Sequence, residues 1–294
     1  MNHQYTLVAS NKDLASTTMA RCLIDDIGFS RESGESQSIS DSISLHKPLH
    51  KDSNDYFVSY SYQNIKLHLS YNRSLLYLDN LDEIYPDSEA FVFLSKHRSE
   101  SGIPTLTCHF TGNFSGSNPY GGTPRELGIA YPYLQKSYIR DITSKQTFVY
   151  EYDIIIEATH HGPTSLKKPS IFIEIGSTEK QWADRKAASA VCQSVITVLT
   201  GENTDAQCQS VGIALGGTHY PSKLNKLLLE SEFGLAAIAA KHNLVSIDEP
   251  MISQMISKSV EKVTHAIVDR KGLGKEKNRI LELIDKKDLE LLEV

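Results

Sequence analysis

The sequence predicts an α/β fold: a mixed, largely parallel sheet with helices on both faces. Two observations carry this. In the second half, short apolar strands ending in glycine alternate with segments of helical periodicity. One strand of the first half, AFVFLSKH, is apolar on both faces, as a central strand is. With 294 residues and no internal repeat, a single domain over 1–294 can bury one large core.

Each element follows in order. QYTLVA (4–9) reads as a first strand, and Asp13 to Ile27 as a helix with Leu14, Met19, Leu23 and Ile27 turned inward. RESGESQSISDSIS has serine at nearly every second or third position, so a surface loop or insertion near 30–55 is expected. Alternation at 56–62, 65–70 and 75–78 suggests a meander, and AFVFLSKH and TLTCHFTGN two more strands. NFSGSNPYGGTPRELG is a loop leading to a helix near 124–136. TFVYEYDIIIEATHHG reads as a strand ending at Gly162, and SIFIEIGS as one ending at Gly176. A helix over about 180–200 follows, with a capping-box pattern at Thr178 and Gln181 and a stripe through Ala183, Ala187, Val191, Val195 and Val198. SVGIALGGTHY is a strand broken by Gly-Gly, followed by a helix over Ser222–Glu230. The tail from about 250 to 293 reads as mostly helical, interrupted at Lys271–Gly274.

Composition narrows the function classes. Hydrophobic content of 40% and charged content of 22% are those of a soluble globular chain. No apolar run reaches the ~20 residues a membrane span needs. The start, MNHQYTLVASNKD, lacks a secretory pattern. Cys22, Cys108, Cys192 and Cys208 are widely spaced, which argues for a reduced, cytoplasmic chain and against zinc-finger or redox motifs. A net charge of −6 argues against a surface coated for nucleic acid but allows a local basic patch. Lys96-Arg98, Lys167-Lys168, Lys223–Lys226 and Arg270, Lys271, Lys275, Lys277, Arg279 are such patches or solvated helix faces.

The chemistry concentrates where strands end. His97, His109, His160, His161 and His219 all fall at such ends, and ligands of open α/β sheets bind beyond the carboxyl ends of strands. The expectation is that aliphatic residues build the sheet while the titratable groups line its rim. On a regular strand His160 and His161 face opposite ways, so one metal takes both only where the chain bends, and Gly162-Pro163 is a place to bend. EATHH lacks the HExxH spacing of zincins. Glu174, inside IFIEIG, is either a paired or metal-bound buried carboxylate or an edge residue facing water. Glu179 suits the first turn of a helix or a catalytic role. Gly216-Gly217 makes a tight turn or allows close approach to a ligand, and Tyr220 and Trp182 stack a base or pack the core.

HHGPT (160–164), EIGSTE with its following Trp182, and GGTHY (216–220) together resemble the D-aminoacyl-tRNA deacylases of the archaeal and plant type. LSKHRS (94–99), PTLTCHFTGN (104–113) and GGTPRELG (121–128) do so in the same order, with weaker matches in ASNKDLAS (9–16) and KGLGKEKNRIL (271–281). Two departures stand out: the serine-rich segment, and FGLAAIAAKH (233–242) where the family tends to show Gly-His-Ile. The resemblance implies a zinc-dependent hydrolase with a fold similar to peptidyl-tRNA hydrolases and nucleoside phosphorylases; a monomer off the membrane is the default expectation. It would cleave the ester of D-aminoacyl-tRNA at the acceptor end.

Ester hydrolysis needs an activated water and a stabilised oxyanion. His160, His161, Glu174, Glu179 and His219 are the catalytic candidates, and His109, His160, His161 and His219 the zinc candidates. Glu174 or Glu179 would complete the coordination or act as base, and N–H groups at Gly216-Gly217 or the helix start near Ser177 would take the oxyanion. Thr164, Lys167, Lys168, Gly216, Gly217, Thr218, Tyr220, Lys223, His97 and Arg98 are the substrate-binding candidates. Two rivals remain: a nucleoside phosphorylase or nucleosidase holding phosphate or ribose at Gly121, Gly122 and Arg125, and a non-catalytic tRNA-binding module.

Overall fold

The structure, a computed structural model, describes residues 3–32, 37–38, 55–201 and 208–294. Most of the serine-rich segment expected as a loop lies outside the described residues. Two sheets are present where one was expected. The larger has nine strands: β1 (Gln4–Ser10), β2 (Ser30–Arg31), β3 (Gln37–Ser38), β4 (Tyr56–Tyr62), β5 (Ile65–Tyr71), β6 (Ser88–Arg98), β7 (Thr105–Phe110), β8 (Asp153–Ile156) and β9 (Ser170–Ser177). Its order is β2-β4-β5-β1-β6-β9-β7-β8, with β3 paired to β4. β5, β1, β6 and β9 run parallel, whereas β7 and β8 run together against β9. The second sheet, β10 (Ser210–Leu215), β11 (Phe233–Ala239), β12 (His265–Val268) and β13 (Glu290–Glu293), is parallel throughout in the order β11-β10-β12-β13.

Helices α1 (Leu14–Arg21), α2 (Leu81–Ile84), α3 (Pro132–Ser144), α4 (Glu179–Trp182), α5 (Arg185–Leu199), α6 (Ser222–Glu230), α7 (Glu249–Ser257) and α8 (Lys277–Asp285) connect the strands. The Asp13 carboxylate caps α1 by accepting the Ser16 N–H at 2.9 Å. The helix then widens to π geometry over Cys22–Ile27 and closes at Gly28, with φ +96°. Leu14, expected inside, is exposed at the helix start.

Several expectations need correction. Residues 75–77 form a 3₁₀ turn rather than a strand. The helix expected near 124–136 starts only at Pro132, whose fixed φ suits a first turn. The helix expected over 180–200 is two, because the Asp184 side chain caps a new start at α5. Residues 147–152 turn, and only Asp153–Ile156 of that expected strand pairs. The tail is not mostly helical: β12 and β13 complete the second sheet.

Alternation assigns the faces of the larger sheet. Val92, Leu94, Leu106, Cys108, Ile171, Ile173 and Ile175 join the main core, where α1, α3 and α5 pack. Phe91, Phe93 and Phe172 point to the opposite face, under Leu75, Leu78, Leu81 and Leu166. Phe93 and Phe172 stack with centroids 4.6 Å apart. Farther along the same face the phenylalanines give way to titratable groups.

Candidate functional site

Register brings the first groups together. Glu174 on β9 lies opposite Ser95 on β6 and Thr107 on β7, while His97 lies opposite Gly176 and His109 opposite Phe172. Partners across a sheet share a face, so His97, His109 and Glu174 point the same way. Because β7 runs against β6 and β9, the carboxyl ends of these strands lie at opposite edges. The cluster therefore sits on the face of the sheet, not along one rim as expected.

Gly176 is required by this arrangement, since a Cβ there would lie 2.7 Å from His97 Cβ. Tyr220 Oη and His97 Nε2 are 2.8 Å apart, and the Trp182 indole N–H donates to the His97 carbonyl at 2.9 Å.

The segment after β8 supplies the rest. It is stitched to both sheets: Glu157 N–H donates to Cys108 O, Ala158 N–H to His219 O, and Thr159 N–H to Ile238 O. At His161 the backbone turns left-handed, with φ +43°, a conformation that costs roughly 1–3 kcal/mol in a non-glycine residue and gathers at functional sites. The bend falls one residue before Gly162 and swings both imidazoles to one side, with ring centroids 4.4 Å apart. His109 packs against them, its ring centroid 3.9 Å from that of His160 and 4.7 Å, edge-on, from that of His161.

GGTPRELG supports this turn from outside. A Cβ at Gly162 would lie 2.2 Å from Gly122 N, so these backbones touch. Thr164 is buried and holds the same loop, donating to Glu126 Oε2 at 2.9 Å and accepting the Thr123 N–H at 2.8 Å. Arg125 reaches Asp248 at 2.6 Å and the Ser246 carbonyl at 3.2 Å. The residues the nucleoside reading needs for phosphate are thus engaged in packing and pairing.

Hydrogen bonds fix the imidazole tautomers. Nδ1 of His109, His160 and His161 meets the carbonyls of Phe110 (3.1 Å), Ala158 (2.8 Å) and Gly162 (2.8 Å). A carbonyl only accepts, so each Nδ1 carries a proton, and in the neutral ring Nε2 keeps its lone pair. Burial pushes His161 down to about 4 and lowers His160 as well, which keeps both neutral. His109 Nε2 is buried with no hydrogen-bond partner. Ligand atoms of the three lie within 4.8 Å of one another. Such a nitrogen set, oriented by its carbonyl partners, fits a divalent metal of zinc's preferences.

Two carboxylates complete the site. Glu157, 1% exposed, accepts the His219 Nε2–H at 2.8 Å, and lies 3.2 Å from His97 Nδ1 and 3.7 Å from His160 Nε2. Glu174, 4% exposed, lies 3.5 Å from His97 Nδ1 and 3.9 Å from His109 Nε2. Burial alone would raise both carboxyl pKa values, but the neighbouring imidazoles, His219 and His97 beside Glu157 and His109 and His97 beside Glu174, hold both low. The same pairings overcome burial at His97 and raise it to about 10, and Glu174 raises His109. Glu157 escaped the sequence reading, although a lone glutamate closing IIIE three residues before His160 was a signal.

The remaining candidates spread outward. Gly216 and Gly217, with φ +101° and +80°, turn the chain towards His219. Gly216 N–H donates to Ala239 O at 2.9 Å, so it is engaged in the fold and not free for the oxyanion role expected of it. Thr218 is exposed and its hydroxyl donates to Tyr220 O at 2.8 Å. Lys223 is bound to Asp269 at 3.0 Å and the Val294 carbonyl at 2.9 Å. Lys167 is exposed and Lys168 half-buried on the loop after Thr164. Arg98 and Glu179 are exposed, and among the described residues no ion pair joins either to the cluster.

Comparison with known proteins gives this geometry a context. A family model described as D-aminoacyl-tRNA deacylase matches residues 84–292. The D-aminoacyl-tRNA deacylase of Cenarchaeum symbiosum is 43% identical over 204 residues, 69% of this chain and 77% of that protein. That of Desulfurococcus amylolyticus is 38% identical over 240 residues, 79% of this chain and 86% of that protein. Among solved structures, a conserved protein of unknown function, AF0625, matches with TM-score 0.83 and 26% identity, over 99% of this chain and 95% of that one.

Proposed function

This chain belongs to the D-aminoacyl-tRNA deacylase family, and we propose that it hydrolyses the ester between a D-amino acid and the 3′-terminal ribose of tRNA, a step of translation quality control. The observation that carries the mechanism is the buried Glu157–His219 pair beside three oriented imidazoles. His109, His160 and His161 would hold a zinc ion, which when bound supplies Lewis acidity towards a carbonyl oxygen.

The proton work falls to the side chains. Glu157 fixes His219 with Nε2–H inward, leaving Nδ1 as its basic nitrogen. His219, about a third exposed, takes the proton of the attacking water at Nδ1 as the water oxygen bonds to the ester carbon. It returns that proton to the ribose oxygen when the ester C–O bond breaks. His97, protonated between Glu157 and Glu174, keeps both carboxylates ionised and holds Tyr220. Among the described residues no helix is long and apolar enough to cross a membrane, and we place the reaction in the cytoplasm, on a monomer.

The test is deacylation of D-tyrosyl-tRNA and L-tyrosyl-tRNA, with and without chelation. The expected result is cleavage of the D ester alone, lost on chelation and restored by zinc. Cleavage of neither ester by the untreated protein would overturn the proposal.

A further inference from the structure

The second sheet presents a surface the mechanism above does not use. Its order, β11-β10-β12-β13, means that the connection after β10 leads to one side and the connection after β12 to the other. Neighbouring parallel strands whose connections part in this way leave a crevice at their carboxyl ends, the usual ligand position in such sheets. Three loops meet there: 216–220 after β10, 240–242 after β11, and 269–275 after β12. They are in contact, since Lys241 N–H donates to Gly217 O at 2.9 Å and a Cβ at Gly272 would lie 2.1 Å from Gly217 N. A Cβ at Gly274 would lie 3.1 Å from Lys241 Cε. Burial, and after it the nearby His219, lowers the pKa of His242.

Charge at this edge is not balanced. Each carboxylate has a partner: Asp269 has Lys223, Glu276 has Arg279 and Glu293 has Arg270. Lys241, Lys271 and Lys275 are exposed, and among the described residues none of them makes an ion pair. A chain of net charge −6 thus leaves three cations together beside the loop that carries His219.

We propose that this edge binds the phosphates of the tRNA acceptor end through Lys241, Lys271 and Lys275. The proposal rests on the deacylase reading and adds where the nucleic acid lies. The acceptor strand runs outward from His219 over the 240–242 and 269–275 loops, and each lysine displaces counterions from it.

The experiment is equilibrium binding of uncharged tRNA across a salt series, for the wild-type protein and for the triple variant Lys241→Gln, Lys271→Gln, Lys275→Gln. Each lost phosphate contact should flatten the log–log salt dependence by about 0.7–0.9, so the triple variant should lose about 2–3 units of slope. Lys262→Gln, before β12 and away from this edge, should keep the wild-type slope. Hydrolysis of a short ester, D-tyrosyl-adenosine, should stay at the wild-type rate in the triple variant. An unchanged salt slope, or a short-ester rate that falls with tRNA binding, overturns the proposal. Failure of the deacylase reading looks different, because the wild-type protein would then cleave neither the tRNA nor the short ester.

Discussion

His68 and His97 lie on the same face of the same sheet, both buried, yet in opposite charge states. His68 on β5 stacks on Phe57 with centroids 4.4 Å apart, and its Nδ1 lies 3.2 Å from the Tyr85 hydroxyl. Among the described residues no carboxylate lies beside it, so burial drives it down to about 3, and it stays neutral. His97 on β6 meets Glu157 at 3.2 Å and Glu174 at 3.5 Å, and rises to about 10. Burial is common to both; the difference is pairing with carboxylates delivered by segments 60 or more residues away in sequence. A buried imidazole by itself is packing. Two buried acids make it a fixed charge.

The strongest way to break this contrast is Glu157→Gln. It leaves the His97 charge with one carboxylate and His219 without its anionic acceptor. Removing one partner of a buried pair costs about 3–5 kcal/mol, and leaving the base His219 without its orienting carboxylate costs up to ~10⁴ in rate. Denaturant unfolding and single-turnover deacylation read the two effects. A stability change below about 1 kcal/mol would show that pairing does not hold His97 charged. Glu174→Gln should be milder, because its contacts are longer at 3.5 and 3.9 Å. A loss of about 1.5–3 kcal/mol is expected, with the His97 pKa falling in an NMR titration.

The pH dependence sharpens the comparison at smaller cost. The folded pKa of His97 is raised, so its contribution is fully present below the unfolded value of about 6.5 and fades as pH rises towards about 10. His68 works the other way: its folded pKa is depressed, the unfolded chain takes the proton first, and stability falls as pH drops from about 6.5 towards about 3. His68→Phe should flatten the acid limb, leave the alkaline limb and leave turnover unchanged. An acid limb as steep as in the wild-type protein would mean that other groups, such as His161, dominate it.

The sequence made the parts of the site legible better than their assembly. The helix over Ser222–Glu230 begins and ends as read. The capping pattern at Thr178 and Gln181 is real: Gln181 Oε1 accepts the Thr178 N–H at 3.1 Å. Four of the five histidines singled out at strand ends meet through their rings, and His97 joins them through Glu157 and Glu174. The direction of β7 was not legible, because strand polarity is set by tertiary pairing and not by local pattern, and with it went the choice between rim and face. β12 and β13 have four residues each, too few for a periodicity to emerge. Lys223 looked free because Asp269, its partner, is far along the chain. Glu157 looked like strand because the strand runs straight into it.

The segment from Glu157 to His161 has one further consequence. It is the seam between the sheets, hydrogen-bonded to β7 on one side and to β11 and the His219 loop on the other. Neither sheet owns the site: the first contributes His97, His109 and Glu174, the second His219, and the seam carries Glu157, His160 and His161. Catalytic geometry and the seating of one half of the molecule on the other are therefore a single property. Slippage of less than a residue's length along that seam would leave every strand intact and the reaction centre dispersed.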